Sequence, residues 1–405
     1  MEAVSDDTSG EYHLTDRSLG EVVKGYTPFA NGDILWAKIT PCMQNGKICV
    51  VDNLPNGIGF GSTEFHVLRT KHKKVSQSFV REFVSQEWLR EIATYAFTGS
   101  AGHQRVPASF LEELPFPELD QRQQDELVAA MDAARAERRA KLAEADALLA
   151  GLDDFLLATL GLTLPPKDDR KVFAVRTNEL SQRIDAHSNQ SRFRKFFAYL
   201  HNTNHRVEIF GRLATVIFSG STPLAKGDAY VDPPHGIRFI RSGEITNDGE
   251  VTPTSEIHLD SAIHDGPMKH SQLQRGDLLI AIVGATIGAT GVFNRNEAAN
   301  INQAIAAVRF ASTEISPEFA CLYLRSSIGQ ALLDYFKRPV ARANINLEEI
   351  GEIPVLIPDV ALQQTIVGES HRRRGEARRL RAEAEAGWQA AKRWFEEQLL
   401  GAAQP

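Results

Sequence analysis

The stretch from Asn31 to Trp36 reads NGDILW, and the stretch from Arg275 to Ile280 reads RGDLLI. A Gly-Asp turn feeding apolar residues marks the entry to a buried strand, and such turns are common enough that two copies alone prove little. The flanking sequence settles the matter. Arg69 and Arg309, Phe79 and Phe319, Tyr95 and Tyr335, and the pairs Gln123-Gln124 and Gln363-Gln364 all share one offset of 240 residues without a gap, and the Gly-Asp strands lie at an offset of 244. Self-similarity over such a distance is the mark of a duplicated unit. Each copy runs in the same order: a Gly-Asp strand, a loop of small and polar residues, another strand, a helix, a Pro-flanked link and a long charged helix.

Within the copies, Phe79, Phe83, Ile92 and Tyr95, and then Phe319, Leu322, Tyr323, Leu332 and Phe336, recur near helical spacing and are expected to face a core. After ELPFPELD, Asp120 and Gln123 form a capping pair, and Leu127, Met131, Ala134, Ala145, Leu149, Leu152 and Leu156 trace an approximate heptad seam. Gly161 and Pro165-Pro166 end it, so roughly 40 residues at about 1.5 Å each predict a rod of about 60 Å. The second copy repeats the device from about Leu362 to Leu400, with Ile366, Leu380, Ala384, Ala391, Trp394 and Leu399 as its seam. Two narrow apolar stripes in one chain most simply pack on each other. An antiparallel pair would set the globular units at opposite ends and leave Arg135, Arg138 and Arg139 on an outer face available for docking. One asymmetry stands out: about 65 residues of the second copy, from roughly Arg176 to Ile240, have a counterpart that would fall before Met1.

Composition limits the function classes. The 405 residues are 42% apolar and 24% charged, enough for two or three cored domains and unlike a disordered chain. The start, MEAVSDDTSGEYHL, resembles neither a signal nor a transit peptide, and no stretch approaches the roughly 18 apolar residues of a membrane span. Cys42, Cys49 and Cys321 form no CxxC pair and no metal-ligand spacing, which points to the cytosol, with no cofactor or structural metal expected. The net charge of -7 argues against a surface that wraps nucleic acid throughout, but local basic runs exist at Arg69–Lys74 (RTKHKK), Arg192–Lys195 (RFRK), Lys337–Arg342 (KRPVAR) and His371–Arg381 (HRRRGEARRLR).

Catalytic motifs are not found. Asp232–His235 (DPPH) is similar to the Asp/Asn-Pro-Pro-aromatic signature of amino-methyltransferases, but His235 replaces the stacking aromatic and no Gly-rich turn for the methyl donor precedes it. Gly284–Gly291 (GATIGATG) lacks both GxGxxG spacing and a Walker lysine, and reads as a tight hairpin. Neither a nucleophile elbow nor HExxH occurs. Order without a catalytic constellation suggests a binding or scaffolding protein.

Taken together, ELSQRIDAHS (Glu179–Ser188), FSGSTP (Phe218–Pro223), FIRSGEI (Phe239–Ile245), RGDLLIAIVGATIG, NINQAI (Asn300–Ile305) and TGSAGHQRV followed by LPFPELDQRQQ resemble the DNA specificity subunits of Type I restriction-modification systems. The resemblance runs over nearly the whole chain and lies in motif order more than in any single motif. It implies an α+β fold of two related α/β target-recognition domains separated by two long antiparallel coiled-coil helices. The first domain would be 1–117, the first spacer helix 118–165, the second domain 166–358 and the second spacer 359–405; the first domain departs from the family pattern in reading as abbreviated at its N-terminus, the alternative being that the chain as given begins late. It also implies no catalytic site, a bipartite site on double-stranded DNA, docking of methyltransferase subunits, two in number, and of restriction subunits through them, with no membrane.

A domain of this kind needs cations for phosphates and polar side chains for base edges. The candidates are the polar residues of Gly/Pro-bounded loops: Lys38, Gln44, Asn45, Lys47, Ser100, His103, Gln104 and Arg105 in the first domain, and Ser221, Thr222, Lys226, Arg241, Thr286, Asn302, Gln303, Arg338, Arg342 and Asn344 in the second. Two other readings remain open: a specificity module of another methyltransferase-linked defence system, and a coiled-coil adaptor that binds only proteins.

Overall fold

The computed structural model describes residues 1–402 apart from 7, 72–73, 101, 165, 167–169, 171, 178–179, 181–184, 224–228, 234, 247, 253, 255, 312 and 338–343. The chain divides into two compact units, Met1–Ala145 with Arg378–Pro405, and Asp146–Ala377. In the first, β1 (Thr27–Ala30) pairs with β4 (Ile58–Gly61), and β2 (Ile34–Ala37) lies antiparallel between β3 (Ile48–Val50) and β5 (Phe65–Leu68). The helices α1 (Leu19–Val22), α2 (Gln77–Val84), α3 (Glu87–Tyr95), α4 (Ala108–Glu112) and α5 (Gln121–Thr159) accompany them, α5 ending in the second unit.

The second unit adds α6 (Ser191–His201), β6 (Arg206–Ile209), α7 (Phe210–Leu213), β7 (Ala214–Ser219), β8 (Tyr230–Val231), β9 (Ile237–Ile240), β10 (His258–Leu259) and α8 (Ser261–Asp265). There follow β11 (Leu278–Ala281), β12 (Thr290–Val292), β13 (Ala299–Ile301), β14 (Ile305–Phe310), α9 (Pro317–Arg325), α10 (Ser327–Phe336), α11 (Leu347–Gly351), β15 (Pro354–Ile357) and α12 (Val360–Ala402), which ends in the first unit. Its main sheet has the order β12-β11-β14-β7, the order β3-β2-β5 of the first unit with one strand added.

The repeated Gly-Asp pair now has a physical reason. Gly32 and Gly276 turn the chain at φ +85° and +93°, a region that favours glycine, and the next residue points its carboxylate inward. Asp33 is fully buried, accepts from the Ala30 amide at 2.7 Å and receives both Arg69 nitrogens at 2.6 Å. Asp277 does the same with the Gln274 amide at 2.7 Å and with Arg309 at 2.8 and 2.7 Å. A carboxylate taken out of water must be paired, and the two-pronged guanidinium fork does so at the start of each Gly-Asp strand, an inner strand of its sheet.

A second duplicated device ties each long helix to the segment that precedes the unit's aromatic helix. Gln124, 2% exposed, accepts from the Ser76 amide at 2.8 Å and donates to the carbonyls of Lys74 and Leu119 at 3.0 and 2.9 Å. Gln363, 3% exposed, accepts from Ser316 at 3.0 Å and donates to Glu314 and Pro358 at 2.6 and 3.0 Å. The equivalence is therefore Gln124 with Gln363, one residue out of the ungapped offset that pairs Gln123 with Gln363, because the link before each long helix differs by one residue. The predicted Asp120–Gln123 capping pair forms reciprocally at 2.8 and 3.0 Å.

In the first unit, successive contacts between the long helices run in opposite directions: Arg135 over the Trp388 ring, Arg138 toward Glu385 at 3.9 Å and Lys141 to Glu383 at 3.4 Å. In the second, Arg373 donates to the Gly151 carbonyl at 2.7 Å and lies over Phe155. Two expectations need correction. The seam of α12 runs through Trp388 and Phe395, both buried, and leaves Trp394 38% exposed. Arg135 is no docking residue, since its buried guanidinium holds Glu82, which is 2% exposed, at 2.5 Å.

The apolar stripe of the first unit's aromatic helix is also only half covered. The stripe breaks into α2 and α3 at Ser85-Gln86; Phe79 and Phe83 are buried, but Ile92 is 48% and Tyr95 90% exposed. In the second unit Tyr335, the counterpart of Tyr95, packs on Phe193 and Phe197 of α6, an element with no counterpart among the described residues of the first. Among the described residues no helix is long and apolar enough to cross a membrane.

Candidate nucleic-acid interface

In the first unit the candidates gather where the β2–β3 loop meets the hairpin Thr98–Arg105. Backbone bonds set this meeting: Thr98 and Arg105 exchange theirs at 3.0 and 2.9 Å, Thr40 donates to the Gln104 carbonyl at 3.0 Å, and Val106 to that of Lys38 at 2.9 Å. Gly99 at φ +109°, with the His103 carbonyl only 3.1 Å from where a Cβ would stand, lets the hairpin close. Lys38, Gln104 and Arg105 are thereby adjacent and half-buried, with Ser100 and His103 exposed on the same hairpin. Gln44 and Asn45 are exposed on the facing loop, and Gln44 meets the Thr40 hydroxyl at 2.5 Å. Lys47 does not belong here: it is 8% exposed, and its ammonium donates to the carbonyls of Val4 and Met1 at 2.8 and 3.0 Å and pairs with Asp6 at 3.2 Å. It secures the N-terminal segment.

In the second unit, Gly220 passes so close to β13 that a Cβ would stand 1.6 Å from the Ile301 carbonyl, and this contact delivers Ser221 and Thr222 to the β13–β14 turn. The Thr222 hydroxyl bonds Gln303, Asn302 donates its amide to Ile240 at 3.1 Å, and Arg241 follows directly, exposed. Ile282 donates to Ala304 at 2.9 Å, and Val283 bridges Asn344, so the β11–β12 hairpin and Asn344 adjoin the same turn. That hairpin carries Thr286, which lines an open cleft of about 370 Å³ with Thr246, Gly288, Arg325 and Gln330. Lys226, Arg338 and Arg342 lie outside the described residues.

Several basic runs are committed to structure. Arg69 holds Asp33, Arg192 holds Asp334 at 2.8 Å, and Arg372 and Arg373 hold Glu369, whose carboxyl their hydrogen bonds bring down to about 2. A residue absent from the candidates is Glu64, which receives Arg105 through two bonds of 2.8 Å. Those bonds, and secondarily Lys38 and His103 nearby, hold its carboxyl below the usual range, so it stays ionised. The signal for it was the repeat itself, which aligns Glu64 with Ala304 and so reveals a charge the frame does not need. Among the described residues no group of three or more His, Cys, Asp or Glu side chains is placed to hold a metal ion.

The geometry defines a duplicated α+β chain in which one frame, built twice, presents a polar loop surface in each copy. The proteins it is similar to are specificity subunits of Type I restriction enzymes, the family to which the motif order points. Over 117 residues, 29% of the chain, it is 38% identical to the specificity subunit of the Escherichia coli enzyme EcoEI, and over 126 residues, 30% of the chain, 40% identical to that of EcoAI. The chain spans about a fifth of the length of these relatives, 20% and 21%. A solved structure described by the complex assembly and conformational transition of the type I R-M system matches 99% of this chain and 89% of its own, with a TM-score of 0.60 and 17% identity, so the fold is shared. No family model matches the chain.

Proposed function

We propose that the chain is the DNA specificity subunit of a Type I restriction-modification complex. In this reading the regions 1–117 and 166–358 each read one half of a bipartite site on double-stranded DNA. The helical regions 118–165 and 359–405 fix the gap and dock two methyltransferase subunits, and restriction subunits join through those. The chain binds and positions, and its partners carry the chemistry. The observation that carries this is the duplication of the loop surface. At equivalent backbone bonds, Lys38 to Glu64 and Ile282 to Ala304, both at 2.9 Å, the frame is kept while the side chains change. Two surfaces on one scaffold with different side chains suit two different half-sites. The test is a map of methylated bases in cells carrying the chain with its methyltransferase partner. A gapped two-part motif is expected; a continuous motif, or methyl transfer by the chain alone, would sink the reading.

A further inference from the structure

In the first unit, the guanidinium of Arg105 is held on two sides. Its Nε and Nη2 donate to the two carboxylate oxygens of Glu64, each at 2.8 Å, and Nη1 donates to the His103 carbonyl at 2.8 Å. An arginine has five N–H donors in a rigid plane, so these three bonds leave one donor on each terminal nitrogen. Glu64 occupies the side-on edge, and the end-on edge between the two terminal nitrogens is the one left to meet a base. Arg105 keeps 40% of its side-chain surface exposed and Glu64 24%, so the fork is held and still reachable. Two parallel donors on one guanidinium edge match the O6 and N7 acceptors that guanine presents in the major groove.

The second unit argues that this pair is not part of the frame. Its backbone bonds correspond one for one: Lys38 to Glu64 with Ile282 to Ala304, Val106 to Lys38 with Ile345 to Ile282, and the bridge Ile39–Arg105 with Val283–Asn344. The positions of Glu64 and Arg105 are there Ala304 and Asn344. Carboxylate and guanidinium are present together or absent together, and the fold closes either way. Asn344 is exposed, and an asparagine amide presents the one donor and one acceptor that match adenine N6 and N7.

We propose that Glu64 is a positioning residue that presents Arg105 to a guanine, so that the first unit reads a G·C pair where the second, through Asn344, reads an A·T pair. This rests on the DNA-binding reading above. The experiment uses the chain assembled with its methyltransferase partner and a duplex of the mapped site, together with duplexes in which each base pair of the two half-sites is exchanged in turn. Arg105→Lys keeps the charge and loses the fork. It is expected to abolish discrimination at one G·C position of one half-site, a loss on the order of 10- to 100-fold, while affinity for unrelated DNA is unchanged. Glu64→Gln removes the negative charge and one acceptor. It is expected to weaken discrimination at the same position and at no other, which a merely structural role would not produce, while affinity for unrelated DNA rises with the lost negative charge. The double variant Glu64→Ala with Arg105→Asn should move the preference at that position from G·C toward A·T. If the wild-type assembly discriminates and these variants leave the base preference at every position unchanged, or lower binding to all duplexes in parallel, this assignment fails alone. If the wild-type assembly prefers no sequence, the DNA-binding reading fails with it.

Discussion

Gln124→Ala removes a side chain that is 2% exposed and makes three hydrogen bonds, from the Ser76 amide and to the carbonyls of Lys74 and Leu119. Each neutral bond contributes about 1 kcal/mol net, so the loss is about 3 kcal/mol, drawn from the joint between the long helix and the start of α2. The assay is built into the sequence: the four tryptophans, Trp36, Trp88, Trp388 and Trp394, all lie in the first unit. Tryptophan fluorescence in a guanidinium titration therefore reports that unit, and the midpoint should fall by about 0.5–1.5 M with the slope unchanged. Gln363→Ala breaks the equivalent joint in the unit without tryptophan, and is expected to move the circular-dichroism transition more than the fluorescence one. An unmoved midpoint in Gln124→Ala, with native circular dichroism, would refute the idea that this buried glutamine joins the long helix to the start of α2.

Three further outcomes are expected. Arg69 holds the Asp33 carboxyl below its usual value, so the stabilisation from Asp33 is fully present above about pH 3.9 and is lost as pH falls through the lower folded value; Asp33→Asn should destabilise the first unit near neutrality by more than it does in acid, and an equal loss at both would contradict the pairing. Arg241→Ala and Gln303→Ala should relax only the half-site read by the second unit, by roughly 1–3 kcal/mol where either contacts a base edge, checked by mapping methylated bases. Removing one heptad from both α5 and α12 takes about 10 Å from each and should change the gap by up to about three base pairs with the half-sites intact; half-sites that change while the gap does not would overturn the spacer role.

What the sequence discloses is what both copies keep. Asp33 with Arg69 and Asp277 with Arg309 are legible as repeats because burying a carboxylate leaves few substitutes for a guanidinium partner. Periodicity carries less. It marks Tyr95 as apolar surface in a helix, yet whether that surface is covered depends on α6, whose Phe193 and Phe197 cover only Tyr335. It puts Trp394 in the seam of α12, where the partner helix in fact takes Trp388. Loop composition carries least: Lys47 reads like its neighbours Gln44 and Asn45, and its commitment to the Val4 carbonyl requires a contact 43 residues distant. Glu64 escapes a search for donors because it acts through the arginine it holds.

These differences share a cause. Side chains whose partners lie inside a unit are fixed by the cost of leaving a buried group unpaired, so Asp33, Gln124 and their equivalents admit little change. The loop side chains at equivalent places, Glu64 against Ala304 and Arg105 against Asn344, hang on backbone bonds that any residue can make. Their exchange costs the frame little, since the bonds that shape the loops are main-chain ones. A protein that must keep its shape and change what it reads requires this separation, and here it lies between the buried end of each Gly-Asp strand and the loop that leaves the other end.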